Sequence, residues 1–173
     1  MDNQSLNELL QDKRERQFWL KPVGLPGIPL HKQPEAFPES EVEIRFVDNV
    51  TNIHDGDVLV VYRVGPAKLM YVAERLPRSQ WTTPEDPTLT EEIRARYRHF
   101  FKARNLTPEY GVWWPDFSHK PFTLANRWNP LHQDEPARLG AINWHKDRAP
   151  IPRWFAEALI QRIRDISERN TKS

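Results

Sequence analysis

Two apolar segments joined by a short turn dominate the middle of this sequence, between Val58 and Glu74. The first segment, residues 58–64, is almost wholly apolar and rich in β-branched residues, a composition typical of a buried strand. A Gly-Pro turn follows, and residues 69–73 are apolar again, which predicts an antiparallel hairpin. Because apolar residues occupy both faces of this hairpin, we expect it to lie inside a covered or closed sheet.

Hydrophobic periodicity predicts further elements on both sides of the hairpin. Alternation of apolar and charged residues indicates a strand with one wet face, whereas apolar residues three and four apart indicate a helix. In chain order, the elements are a first strand at Phe18–Leu20, a strand with one wet face at Glu41–Val47, a helix between Pro84 and Pro108 that starts near Thr90, candidate strands at Gly111–Trp114 and Gly140–Trp144, and a final helix after Pro152.

The order of these elements predicts an α+β fold. We expect a small mixed or antiparallel β-barrel with the helices packed outside it. At 173 residues the chain has the size of one domain. We assign residues 1–17 to an N-terminal helix or arm and residues 18–173 to a single domain.

The composition excludes several classes of function. The chain has no Cys, so it cannot form disulfides, use thiol chemistry or bind a metal through thiolates. It contains no phosphate-binding loop, dinucleotide fingerprint or nucleophile elbow, and we expect no cofactor. The first residues lack the apolar stretch of a signal peptide, and no apolar run is long enough to cross a bilayer. We therefore expect a cytoplasmic protein with no membrane partner.

Basic residues are concentrated in one short segment of a chain whose total charge is nearly balanced. With 25 basic and 24 acidic residues, no global field attracts nucleic acid, so any such partner must contact a local patch. The candidate patch consists of Arg94, Arg96, Arg98, Lys102 and Arg104. One interpretation is a face that contacts phosphate groups. The alternative is a solvated helix face whose arginines pair with Glu91, Glu92 and Glu109.

Several of the seven Trp lie beside Pro, Asn or Ser instead of within apolar runs. Such positions suit the rim of a ligand pocket, where each stacked base contributes about 1 to 3 kcal/mol. The alternative is that most of these rings fill the core. Trp113 and Trp114 are adjacent, so on a strand they face opposite ways and cannot both point into one barrel interior. The candidate pocket residues chosen on this composition are Trp113, Trp114, Ser118, Asn126 and Trp128.

Three histidines recur in the C-terminal half of the chain: His119, His132 and His145. Three imidazoles can hold a metal, but these are not at the tight spacing of metal ligands, and we expect no metal site. Isolated histidines in loops are usually surface or capping residues. The alternative role for one of them is a general base, acting with an acid such as Asp116.

The aromatic first strand, the His-Asp-Gly-Asp turn at residues 54–57, the strand that reaches Tyr62 and the return strand at residues 68–74 together resemble the PUA-like superfamily. Within it, the closest pattern is the EVE domain. The resemblance covers residues 18–81 well and residues 110–124 loosely. The loop 21–41 departs from the family pattern because it is rich in Pro and carries acidic residues, and the segment 115–152 has no counterpart in the pattern.

The resemblance implies a non-catalytic reader of a modified or flipped-out base, with DNA as the first expectation and RNA as the second. It places Trp19 and Tyr62 near the base pocket. It also suggests a nuclease or a modification system as a partner. Two alternatives stay open, namely a small nucleotide- or RNA-processing enzyme that uses the histidines, and a ligand-free protein-interaction domain.

Overall fold

The computed structural model of the protein describes residues 4–23, 41–63, 69–107, 112–113 and 147–172. The elements are α1 (Gln4–Gln11), β1 (Phe18–Val23), β2 (Glu41–Phe46), β3 (Val58–Arg63), β4 (Leu69–Arg75), a 3₁₀ turn (Arg78–Gln80), α2 (Glu91–Arg96), β5 (His99–Asn105), β6 (Val112–Trp113), β7 (Ala149–Ile151) and α3 (Arg153–Lys172). The predicted strand at 140–144 lies outside the described residues.

The strands form one mixed sheet in the order β2-β5-β4-β3-β1-β7, with β6 also paired to β4. β1 and β3 run parallel, and every other described pair is antiparallel. The α+β class is therefore confirmed. No strand ladder joins the outer strands β2 and β7 in the described part of the chain, so the sheet is open there and the closed barrel stays a prediction.

The central hairpin is confirmed as β3 and β4, whose register pairs Val58 with Glu74 and Val60 with Val72. β1 lies on the other side of β3, so β3 is an interior strand of the sheet. The apolar residues on both of its faces are buried, as the absence of a polar face predicts.

One face of the sheet is covered by the short helix α1 and the long helix α3. Phe18, Val60 and Tyr62 project from β1 and β3 into a core that includes Leu6 of α1 and Leu159 of α3. The prediction of helices outside the sheet and of a final amphipathic helix is confirmed. α1 is part of the packing of the domain, since its leucines are buried in the same core. In the described part of the chain, no helix has both the length and the apolar character needed to cross a membrane.

The opposite face of the sheet carries a second core, to which no helix of the described residues contributes. It includes alternate residues of the strands, among them Leu59, Val61, Ile44 and Phe101. The rings of Phe46 and Phe101 pack against each other with centroids 5.3 Å apart. The sheet therefore has one side covered by helices and another side whose core also takes Val50 and Ile53 from the segment after β2.

The helix predicted between Pro84 and Pro108 is wrong for most of its length. Thr90 does begin a helix, because its side chain accepts a 3.2 Å hydrogen bond from the amide of Ile93. The helix ends at Arg96, and residues 99–105 form β5, paired with both β2 and β4. Aromatic residues at helical spacing also fit a strand, and tertiary pairing on both sides selects the strand.

The predicted wet face of β2 is also wrong. Its polar side chains Glu43 and Arg45 are largely buried, and their charges pair at 3.0 Å. The chain folds over them, since the amide of Asp86 donates to Glu43 over 2.9 Å. Alternation reveals which residues share a face of a strand, but a face whose charges are paired need not be wet.

Candidate nucleic-acid interface

The structure divides the predicted basic patch into paired and unpaired residues. Lys102 is only 4% exposed, and its ammonium nitrogen lies 3.1 Å from Oε1 of Glu43. It also donates to the carbonyl of Pro84 over 2.9 Å. Arg104 lies 3.0 Å from Oε1 of Glu74. Lys102 and Arg104 thus belong to a charge network on β5, and their charges pair with Glu43 and Glu74. The prediction that these two residues contact phosphate is therefore not supported.

Arg94 is partly committed to the loop before α2. Its Nη2 donates to the carbonyl of Asp86 over 2.8 Å, and its Nε lies 3.5 Å from Oε1 of Glu85. The acid near Arg94 is therefore Glu85, and not Glu91 or Glu92 at the start of the helix. Its side chain holds the loop against α2.

Arg96 and Arg98 are exposed, and among the described residues neither forms an ion pair with an acid. Arg96 lies over the ring of Tyr97 at 5.6 Å, which supports its stem without neutralising its charge. Both residues lie at the junction of α2 and β5. They are the members of the predicted patch whose charges remain available to a partner.

Next to this junction, two half-exposed rings and two guanidinium groups are stacked. Trp81 and Phe100 have ring centroids 5.8 Å apart and planes tilted by 34°. Arg78 covers the Trp81 ring at 4.3 Å, and Arg45 covers the Phe100 ring at 4.6 Å. The indole nitrogen of Trp81 donates to the carbonyl of Leu76, which fixes its ring plane. We call Arg78, Trp81, Phe100, Arg96 and Arg98 the aromatic–arginine surface.

This surface has the types of side chain to which single-stranded nucleic acid binds. Bases stack on aromatic faces and guanidinium planes, while exposed arginines contact phosphate oxygens. Sequence reasoning missed Arg78 and Trp81 as partners of the patch. The available signal was their spacing of three residues, which one turn of 3₁₀ helix brings onto the same side.

The two pocket residues taken from the family resemblance lie on opposite faces of the sheet. Trp19 belongs to the second core, whereas Tyr62 belongs to the core under the helices. Their register explains the separation, because Trp19 pairs with Leu59 while Tyr62 pairs with Pro22. Burial raises the pKa of the Tyr62 hydroxyl. Trp19 and Tyr62 therefore cannot line one shared pocket.

The other predicted site residues are placed only in part. Trp113 lies in β6 opposite Leu69, at the start of β4. The remaining candidates lie outside the described residues: Trp114, Ser118, Asn126, Trp128, Asp116, His119, His132 and His145. In the portion that is described, no three His, Asp or Glu side chains are grouped as a metal site would require.

A groove of about 670 Å³ lies on another part of the surface, where α1 leads into β1. Its lining mixes charges of both signs, including Lys13, His54, Asp55 and Arg153. Arg153 of the groove is occupied, since it pairs with Glu157 at 2.6 Å and also donates to backbone carbonyls of the segment after α1. The mixed charge favours no single class of ligand.

Comparison of the chain with protein-family models, with curated proteins and with solved structures gave no significant match.

Proposed function

We propose that this protein is a non-catalytic nucleic-acid-binding module that contacts its ligand through the aromatic–arginine surface. The observation that carries the proposal is the position of Arg96 and Arg98, two exposed cations that form no ion pair within the described part of the chain. They precede Phe100 in the chain by four and two residues, and the Phe100 ring packs against Trp81. Phosphate contacts supply affinity without reading sequence, and stacking on flat groups adds to it.

The charge network around this surface has a positioning role in the proposal. Glu43 engages Lys102 and Arg45 beneath the rings. These buried groups are neutralised within the protein, so they add little to the field outside it. The attraction for a polyanion comes from the exposed arginines, and the network holds β2 and β5 in place under them.

We further propose that the bound nucleic acid presents a modified or flipped-out base, with DNA preferred over RNA, to a PUA-like barrel. The support is the resemblance of the β1, β3 and β4 motifs to EVE domains, together with their adjacency in one sheet. Trp19 is buried against Asp57, so Trp113, Trp114 and Trp128 remain the candidate walls of a base pocket. A nuclease or modification system is the proposed partner.

Fluorescence anisotropy with labelled oligonucleotides tests the proposal. Single-stranded and duplex DNA and RNA, with and without a modified base, are titrated with protein at low salt. We expect micromolar or tighter binding by wild type and weaker binding by Arg96→Gln and by Arg98→Gln. Lys13→Gln, which removes one exposed charge elsewhere, is the matched control and should bind as wild type.

Two outcomes contradict the proposal. One is the absence of binding to every oligonucleotide at low salt. The other is a loss in the Lys13→Gln control as large as the loss in Arg96→Gln, which would move the interface to the groove beside α1. Equal affinity for modified and unmodified oligonucleotides would leave nucleic-acid binding intact and overturn only the recognition of a modified base.

A further inference from the structure

A lysine lies at the centre of the second core. Lys21 is in β1, where its strand neighbours Leu20 and Pro22 point toward the helices. Its side chain is fully buried, at 0% exposure. Its ammonium nitrogen has no hydrogen-bond partner among the described residues. Lysine is almost never buried without a partner, because desolvation of its charge is costly.

A second buried donor without a described hydrogen-bond partner lies near the same aromatic ring. The Nζ of Lys21 is 4.4 Å from the centroid of the Phe46 ring, and the guanidinium carbon of Arg148 is 5.7 Å from the same centroid. The Nε of Arg148 is also buried and lacks a hydrogen-bond partner within the described part of the chain. Two cationic side chains from β1 and from the start of β7 therefore face one ring at the end of β2.

One carboxylate accompanies these two cations. Oδ2 of Asp147 accepts a 2.9 Å hydrogen bond from the amide of Val47, and Oδ1 lies 3.0 Å from Nη1 of Arg148. Nη2 of Arg148 donates to the carbonyl of Asn49 over 2.7 Å. Both oxygens of Asp147 are thus occupied. These contacts link the end of β2 to the start of β7, and we call residues 46–49 with 147–148 the seam.

Among the largely buried charges around the seam, one positive charge is in excess when Lys21 is protonated, since Arg148 is always charged and Asp147 supplies one negative charge. The other acid of the seam, Asp48, is exposed to solvent. Burial lowers the pKa of Lys21 from 10.5 to about 7, Asp147 opposes the change, and Arg148 adds to it. Because the pKa of Lys21 is near neutral, a negatively charged group that binds beside its amine should raise this pKa and cause the amine to take up a proton.

We propose that Lys21 and Arg148 form a binding site at the seam for a single oxyanion group, a carboxylate or a phosphate. The oxygens of such a group would accept hydrogen bonds from Nζ of Lys21 and Nε of Arg148 and would neutralise the excess charge. Unsatisfied buried donors cost stability, and an acceptor that bridges them removes that cost. This site is separate from the aromatic–arginine surface, so it stands or fails independently of the proposed function.

Binding at the seam is coupled to protonation. An anion stabilises the charged form of Lys21, so above neutral pH each bound anion brings a proton with it. Near pH 8 most of the free protein holds Lys21 neutral, and we expect uptake of about one proton per anion. Well below neutral pH Lys21 is already charged, and the uptake should vanish.

The first test measures thermal unfolding in phosphate, in acetate and in chloride at equal ionic strength. We expect phosphate, acetate or both to raise the midpoint of wild type by a few degrees relative to chloride, and the two arms identify which oxyanion fits. Lys21→Met should abolish the shift. Lys13→Gln removes a surface cation outside both proposed sites and should retain it. A shift that persists in Lys21→Met, or the absence of any shift in wild type, overturns the proposal.

The second test needs no variant. Calorimetric titration with the stabilising anion at pH 8, in two buffers of different ionisation enthalpy, counts the protons taken up on binding. Uptake of about one proton supports the site. Binding without proton uptake places the anion elsewhere and contradicts the assignment to Lys21.

Discussion

Trp19 donates a hydrogen bond of 3.2 Å from its indole nitrogen to Oδ2 of Asp57 and so ties β1 to the turn that precedes β3. Asp57 also accepts from the amides of Gln17 and His54, at 3.0 and 2.9 Å. Three donors from separate places in the sequence therefore converge on one buried carboxylate. The turn is completed by Gly56, whose positive φ of 86° is unfavourable for other residues.

Replacement of Asp57 by Ala should destabilise the fold strongly. It leaves a buried indole N–H and two amides without their acceptor, and the expected loss is about 3 kcal/mol in the free energy of unfolding. Urea denaturation followed by Trp fluorescence measures it. Asp55→Ala is the control, because the Asp55 side chain is exposed and its described ion pair is a 3.5 Å contact with Arg75, so the loss of stability should stay under about 1 kcal/mol. Similar losses in both variants would contradict the role of Asp57.

Lys21→Met should stabilise the protein, and the gain should depend on pH. The pKa of Lys21 is lower in the folded protein, at about 7, than in the unfolded chain, at 10.5, so the unfolded state binds more protons between these values. The stability of wild type therefore rises with pH across this window. Removal of the amine should add on the order of 4 kcal/mol at pH 6 and little near pH 10.

Urea denaturation at several pH values, without added oxyanion, checks this expectation. A control substitution of Lys13, which is exposed, should leave the pH dependence unchanged. A gain in Lys21→Met that is constant from pH 6 to pH 10 would show that Lys21 does not titrate in this range. A loss of stability at pH 6 would show that its charge is satisfied in the fold.

Glu74 should matter more to stability than a comparable surface acid. It lies 2.7 Å from Arg16 and 3.0 Å from Arg104, and the Arg16 side chain is almost wholly buried. Glu74→Gln leaves a buried guanidinium with too little negative charge, and we expect a loss of about 2 to 3 kcal/mol. Glu157→Gln, which breaks a half-exposed pair with Arg153 on α3, should cost less than about 1 kcal/mol. Chemical denaturation compares the two, and equal costs would refute the distinction.

Trp81 should contribute to nucleic-acid affinity through its ring face. Trp81→Leu keeps apolar bulk but loses the stacking surface. We expect its dissociation constant for single-stranded oligonucleotides to rise about tenfold. Trp81→Phe retains a ring and should recover most of the affinity. Thermal unfolding of both variants verifies that the fold is retained. Equal affinity of the Leu and Phe variants would argue that stacking at this position is not used.

The sequence predicts elements whose signal is local and strong. The β3–β4 hairpin and α3 follow from apolar runs and helical periodicity that no tertiary contact overrides. β5 was missed because Tyr97, Phe100 and Phe101 fit a helix as well as a strand, and only pairing with β2 and β4 decides between them.

The end of β1 shows a second limit. Lys21 and Pro22 look like a break after the apolar run, yet the strand continues to Val23. β7 pairs with β1 only as far as Leu20, so the missing amide hydrogen of Pro22 interrupts no ladder with β7. The burial of the Lys21 amine could not be predicted from the sequence, because it depends on a seam that brings Phe46 together with Arg148, residues far apart in the chain. The charge pairing of Lys102 was hidden for the same reason.

The salt dependence of nucleic-acid binding tests the central claim most directly. Dissociation constants of wild type, Arg96→Gln, Arg98→Gln and the Lys13→Gln control are measured between about 50 and 200 mM salt. If Arg96 and Arg98 each contact a phosphate, each substitution should make the negative slope of log affinity against log salt shallower, by about 0.7 for single strands or 0.9 for duplex DNA. Lys13→Gln should leave this slope unchanged. Slopes unchanged by Arg96→Gln and Arg98→Gln would contradict the proposed interface.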